Sequence, residues 1–291
     1  MITSTAQRQY TSPVIAWRPL PADVSDLLCV ESSEHEIGPW MHARPAITLT
    51  RSRAIVRLES RRSVQVERDT VLLVPPLHAY SIRLVEEGTA PVVTLLPGLR
   101  PAVKQSNTPA LTTRADLVAA VAQLVSDPAR EILPVLEQLA MESAVIAPKA
   151  IGIATPLLPL RDYLRAHLSA PVPTATLAEM AGLTEWHCIR AFHHEFGLPP
   201  HAYHMRLRLA EASRLLATGQ SVSTVAYDCG FADQSHLSRK FKEIYGMAPA
   251  GWASVAGSDT QRIRSMRGQR APLSVMRPER LRRQHAEKWL S

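Results

Sequence analysis

The sequence predicts an α+β chain of more than one domain: a small N-terminal β-barrel with accompanying helices, then an all-α part holding two helix-turn-helix units. Three observations carry this. Short β-branched runs crowd residues 46–96, apolar residues at three- and four-residue steps take over from residue 114, and residues 177–252 contain one short pattern twice.

In chain order, residues 1–30 are dotted with proline and show no strong period. From Ala46 the texture turns to strand: Ala46 to Thr50, Ala54 to Leu58, Val64 to Val66, Val71 to Val74, Ala79 to Leu84 and Pro91 to Leu96, with turn-like punctuation between them. Several short strands at close spacing argue a small barrel or sandwich. Residues 114–146 turn helical. Leu117, Val118, Val121, Leu124 and Val125 repeat at three and four, as do Leu133, Leu136, Leu139, Ala140 and Ala144, with Pro128 between the two segments. Such stripes cover a barrel, pair with a second copy, or do both. Pro148 onward, with Gly152, Thr155 and Pro159, reads as a linker.

The doubled pattern is the most informative stretch. In its first copy Ala178 and Gly182 precede Arg190, Phe192, Phe196, Gly197, Pro200 and Tyr203; in its second Ala226 and Gly230 precede Arg239, Phe241, Tyr245, Gly246, Pro249 and Trp252. Each copy reads as helix, tight turn, helix. The alanine lets a second helix cross closely, and the glycine supplies a left-handed turn. Thr184 and Asp233 are the expected N-caps. Cys188, Phe192 and Phe196 recur at four-residue steps, as do Leu237, Phe241 and Tyr245, so each second helix buries one stripe. The opposite faces hold Trp186, His187, Ile189 and Arg190 in one copy, and Gln234, Ser235, Ser238 and Arg239 in the other. Polar groups of this set suit base edges and phosphates, and arginine is the commonest reader of guanine. From Pro199 and Pro200 a helix to about Leu216, stopped by Gly219, joins the copies.

The runs GLTEWHCIRAFHHEFGLPPHAYHMRLRLAEASRLL and VAYDCGFADQSHLSRKFKEIYGMAP resemble the DNA-binding domain of the AraC/XylS transcription regulators, over roughly the last third of the chain before its tail. The run from Asp69 through Val74, Pro75, Pro76 and His78 to Tyr80 is similar to the second half of a cupin barrel, the sensory domain common in such regulators. Composition sets 148–158 as linker and leaves 256–291 as a basic, disordered tail; the resemblance implies residues 1–147 as a cupin-like sensory and dimerisation domain and 159–255 as a double helix-turn-helix domain. It further implies double-stranded DNA as the main partner, RNA polymerase if the protein activates, a homodimer, and a small-molecule effector in the N-terminal domain.

The net charge of +7 is uneven. Residues 1–155 are balanced, 156–257 carry an excess of one, and 258–291 hold nine Lys/Arg against three Asp/Glu. The basicity therefore belongs to the tail, where it suits salt-sensitive phosphate contact, and the DNA-binding expectation rests on the doubled pattern. With no long apolar run and no apolar leader, the sequence predicts a cytoplasmic protein with no membrane partner. Cys29, Cys188 and Cys229 have no metal-like spacing.

Trp40, His42, His78 and Tyr80 are the candidate effector-binding residues. A metal-binding cupin needs histidines and a carboxylate converging on one centre, two of the histidines close on one strand; that spacing is missing, so no metal and no cofactor is expected. The histidines at 187, 193, 194, 201 and 204 take their spacing from a helix end and a proline break, and read as solvated or phosphate-facing. Two rivals remain: a metal-dependent enzyme built on the barrel, against which the ligand pattern argues, and an architectural protein binding DNA through its tail.

Overall fold

The computed structural model describes residues 14–20, 23–32, 36–59, 62–85, 92–96, 109–126, 134–135, 138–139, 144–145 and 157–256. The tail expected from residue 256 falls outside them after Ala256, as does most of the expected linker. Among the described residues eleven strands form two antiparallel sheets. The larger runs β1 (Val14–Leu20), β2 (Asp23–Ser32), β9 (Val92–Leu96), β4 (Ala46–Thr50), β7 (Thr70–Val74), β10 (Ala110–Thr112), β11 (Ala144–Val145), in that spatial order. The smaller runs β3 (Glu36–Trp40), β8 (Tyr80–Leu84), β5 (Ala54–Leu58), β6 (Arg62–Val66).

The expected closed barrel is not what the chain forms. Among the described residues no ladder joins the two sheets. The larger sheet ends in β10 of three residues and β11 of two, and the two sheets pack face to face. Between them Ala46, Leu72, Val74, Val92 and Leu96 of the larger sheet meet Val56, Leu58, Tyr80 and Ile82 of the smaller. A second layer covers the outer face of the larger sheet: α1 (Ala115–Ser126) sets Leu117, Val118 and Val121 against Ile47, Leu49, Val71, Val93 and Leu95. This use of the stripe is the covering role read from its spacing. With both faces covered, all five residues of β4 and of β9 are buried. Thr48 and Thr94, directly opposite in register, satisfy their inward hydroxyls with each other at 3.1 Å.

β1 and β2 pair through half of the stretch that shows no period in the sequence, and their register shifts between Pro19 and Leu20. β1 lies at the sheet edge, the place where a proline costs no ladder bond.

The C-terminal part is helical: α2 (Leu158–Ala166), α3 (Thr174–Ala181), α4 (Glu185–Phe196), α5 (Pro200–Ala217), α6 (Val222–Asp228), α7 (Gln234–Tyr245) and α8 (Pro249–Ala256). It holds two cores strung along α5. Leu160, Leu164, Leu177, Cys188, Phe192, Phe196, Tyr203 and Leu207 form one; Leu209, Leu216, Val225, Leu237, Phe241, Tyr245 and Trp252 belong to the other, which runs on into the space between the sheets. Trp252 fixes α8 to α5 by donating its Nε1–H to Ser213 O at 2.9 Å.

Polar groups close the seam between sheets and helices. Glu59, buried just past β5, accepts from the Ala79 N–H at 2.9 Å and from the Tyr203 hydroxyl at 3.0 Å, and Arg161 lies 3.9 Å from its second oxygen. Arg165 donates to Leu77 O at 2.7 Å and to the Tyr203 oxygen at 3.2 Å. A buried carboxylate needs partners of this kind, and this one draws them from both parts of the chain.

Candidate nucleic-acid interface

Two helix pairs, α3 with α4 and α6 with α7, are built alike. Ala178 and Ala226 are buried where the paired helices cross. Gly182 and Gly230 follow with φ of +63° and +72°, a left-handed conformation that L side chains resist. The chain then re-enters a helix through a side-chain cap. Thr184 Oγ1 accepts from the His187 N–H, and Asp233 Oδ1 accepts from the His236 N–H at 2.7 Å. Cys188, Phe192 and Phe196 on α4, and Leu237, Phe241 and Tyr245 on α7, are all at most 2% exposed. The stripe spacing and both caps are thus where the sequence puts them.

Burying those stripes turns the opposite faces outward. On α4 Trp186 is 58% and Ile189 38% exposed, and His187 and Arg190 are exposed with them. Their positions are braced: the Arg190 guanidinium lies 4.6 Å from the Trp186 ring, and His187 Nδ1 sits 2.9 Å from Thr184 Oγ1. On α7 Gln234, Ser235 and Arg239 are exposed and Ser238 is half-buried. Lys240 on the same helix pairs with Glu243 at 2.8 Å, a surface contact of small energetic weight. The eighteen residues of α5, with Pro200 in its first turn, make a helix roughly 27 Å long at 1.5 Å per residue, and the two pairs pack along its two halves.

A cleft of about 1010 Å³ separates the outward face of α4 from the smaller sheet. Trp186, His187 and Arg190 form one wall, and Arg57, Leu58 and Ser63 the other. A second cleft, of about 960 Å³, opens between the two helix pairs along α5.

Of the residues expected to bind an effector, Trp40, His42 and Tyr80 come together. Ring centroids lie 5.1 Å apart for Trp40 and His42, and 6.1 Å for His42 and Tyr80. All three are buried, and the cluster continues across the seam to Tyr245 of α7, 6.2 Å from His42. Burial, helped by the Arg206 charge, lowers the His42 pKa to about 3, so the ring is neutral. His78 stands apart, half-buried, with Nδ1 3.0 Å from Pro76 O. Neither cleft is lined by any of the four.

Among the histidines, His204 is buried with Nε2 3.0 Å from His167 O; burial first, then the Arg208 charge, lowers its pKa to about 4. Among the described residues no group of histidine, cysteine and acidic side chains could hold a metal ion, and no helix is long and apolar enough to cross a membrane.

Sequence reading missed the seam residues Glu59, Arg161 and Arg165, and it missed Arg208. On α5 Arg208 looks like any solvated helix charge. The one signal was its place inside a helix whose neighbours Leu207, Leu209 and Ala210 are all apolar.

Residues 177–254 match the family model of a helix-turn-helix domain. The chain is 37% identical over 89 residues to a probable transcriptional regulator, LumQ, of Photobacterium leiognathi, covering 30% of this chain and 36% of that protein. It is 31% identical over 140 residues to the transcriptional activator RhaS of Escherichia fergusonii, covering 48% of this chain and 50% of that protein. The chain thus spans half or less of the length of these relatives. Among solved structures it is similar to ToxT of Vibrio cholerae O395, with a TM-score of 0.45 and 11% identity over 80% of this chain and 99% of that one. The DNA-binding domain of AdpA in complex with a target DNA gives a TM-score of 0.35 and 28% identity, over 37% of this chain and 97% of that one.

Proposed function

We propose that residues 177–254, which match a helix-turn-helix domain, are of the AraC type, and that this chain is a transcription regulator that binds double-stranded DNA sequence-specifically through both helix pairs, with no catalytic chemistry. The carrying observation is the pair of capped helices, α4 and α7, that bury matched stripes and turn polar faces outward from the two halves of one helix. In this reading Arg190, Arg239, Gln234 and Ser235 read base edges or phosphates, and Trp186, His187 and Ser238 shape the contact. Ile189 suits a thymine methyl. The linking helix α5, roughly 27 Å long, is shorter than the roughly 34 Å turn of B-DNA, so engaging two successive major-groove segments bends the duplex.

The remaining parts follow from the same reading. Residues 1–147 act as the cupin-like sensory and dimerisation domain, 148–158 as linker, 159–255 as the double helix-turn-helix domain, and 256–291 as a basic arm adding salt-sensitive affinity. An effector acts through the cluster of Trp40, His42 and Tyr80, from which His78 stands apart; seated against Tyr245, that cluster reports directly to α7. A homodimer, and RNA polymerase for an activator, complete the partners.

Selection of bound fragments from a random DNA pool at near-physiological salt, with and without residues 258–291, tests the proposal. The expected result is a two-part motif that does not depend on the tail. A folded chain that enriches no motif, alone or with cell extract added, overturns it.

A further inference from the structure

Arg208 stands where α5 passes from one hydrophobic core to the other. Before it, Tyr203 and Leu207 pack with Leu164, Phe192 and Phe196; after it, Leu209, Ala212 and Leu216 pack with Ala226, Leu237 and Phe241. Apolar packing therefore holds each helix pair to its own half of α5. The cleft of about 960 Å³ lies between the pairs, so direct contact across the seam is narrow. Something else must set one pair against the other.

Arg208 bridges that seam with three charge-assisted hydrogen bonds to backbone carbonyls. Its Nε–H donates to Leu168 O at 2.6 Å and its Nη2–H to Ala170 O at 2.9 Å, both in the loop between α2 and α3. Its Nη1–H donates to Gly230 O at 2.7 Å, in the turn between α6 and α7. A planar guanidinium fixes the directions of these bonds as well as their lengths, which a lysine ammonium does not. The two segments it ties also touch: a Cβ on Gly230 would fall 2.7 Å from Ser169 Cα and 2.8 Å from its carbonyl carbon, so the approach needs glycine there.

We infer that Arg208, together with the Gly230–Ser169 contact, locks the rotation of α7 relative to α4 and thereby sets the spacing of the two halves of the DNA site that the protein accepts. Arg208 is a positioning residue, its three nitrogens all engaged by carbonyls, and it acts on DNA only through the geometry of the helices that read it. The inference rests on the reading of α4 and α7 as a pair of DNA readers.

The test uses the full chain and duplexes carrying the two half-motifs recovered by selection, with the spacer lengthened or shortened one base pair at a time. Each step moves one half-site by about 3.4 Å and rotates it by about a tenth of a turn. The unmodified chain is expected to show a sharp optimum, losing about tenfold or more in affinity for one base pair either way. Arg208→Ala and Arg208→Lys are expected to flatten that profile to about threefold, while affinity for a duplex with one half-motif stays within about twofold of the unmodified chain. A sharp profile retained in a folded variant overturns the inference. So does parallel loss of single-half-motif binding, which would mean that Arg208 merely supports folding, and so does a flat profile in the unmodified chain, a result that needs no variant at all. Failure to recover a two-part motif in the first place counts against the DNA-reading proposal instead.

Discussion

The hydroxyl of Tyr203 on α5 donates to Glu59 Oε1 at 3.0 Å, joining residues 144 positions apart across the seam between the sheets and the helices. Glu59 is 7% exposed, so this bond has no ready replacement by water. Tyr203→Phe keeps the ring that packs on Phe192 and Phe196 and removes only the hydroxyl, which donates to Glu59 and accepts from Arg165. The expected loss is about 1–3 kcal/mol in urea unfolding, the cost of leaving a buried acceptor short of a partner. A change below about 0.5 kcal/mol would place the bridge among contacts without stabilising effect.

Arg239→Ala is expected to weaken binding to the selected DNA site by about 1–3 kcal/mol with the fold unchanged by circular dichroism. Unaltered affinity and footprint in a folded protein remove Arg239 from the reading set. Arg190 behaves differently because the Trp186 ring braces it. A double-mutant cycle on Trp186→Ala and Arg190→Ala should give a coupling of about 0.5–1 kcal/mol in DNA affinity, and strictly additive losses would show that the stacking has no part in binding.

Stability should fall with acid before the carboxylates titrate. His42 and His204 are held at about 3 and about 4 by burial, against 6.5 for the free side chain. As pH drops below about 6.5 the unfolded chain takes up protons that the folded chain refuses, so the unfolded state gains. The contribution is complete above that pH and declines below it, by up to about 1.4 kcal/mol per pH unit for each histidine, until the folded values are reached. Unfolding free energies at pH 7.5, 6 and 5 should show this slope, and His42→Gln should reduce it. Equal slopes in the two proteins would mean that His42 is protonated in the fold.

Gly182 and Gly230 occupy matching turns, yet their replacement by alanine should cost different amounts. At Gly182, with φ +63°, a methyl group would have nothing within 4 Å, so the change costs only the left-handed backbone penalty of about 1–2 kcal/mol. Gly230→Ala adds a clash with the Ser169 backbone, expected to cost about 1–3 kcal/mol more. Thermal unfolding of the two variants side by side decides it, and equal losses would dissociate the Gly230 turn from Ser169.

What the sequence made legible was local. β4 and β5 span the residues read as strand from their β-branched runs, and Thr184 and Asp233 cap the helices they precede, because a strand run and a cap are decided within a few residues. β1 was hidden by Pro19, since an edge strand keeps proline that a central one excludes. Sheet closure depends on pairings between strands far apart in the chain, which no local run of residues reveals. Arg208 carries no signature because its partners are main-chain groups, which every residue possesses, and Glu59 carries none because its partners lie 20 to 144 positions away in the chain.

The separation of the C-terminal part into two cores gives each core its own chemical clock. Cys188 lies at 0% exposure in the first core and Cys229 at 1% in the second. Burial raises both thiol pKa values, Cys229 to about 12, so neither offers a thiolate to an alkylating reagent while its core stays shut. In a Cys29→Ser background, the rate at which each sulfur is modified therefore measures how often its own helix pair opens, one label per pair on a single unaltered C-terminal part.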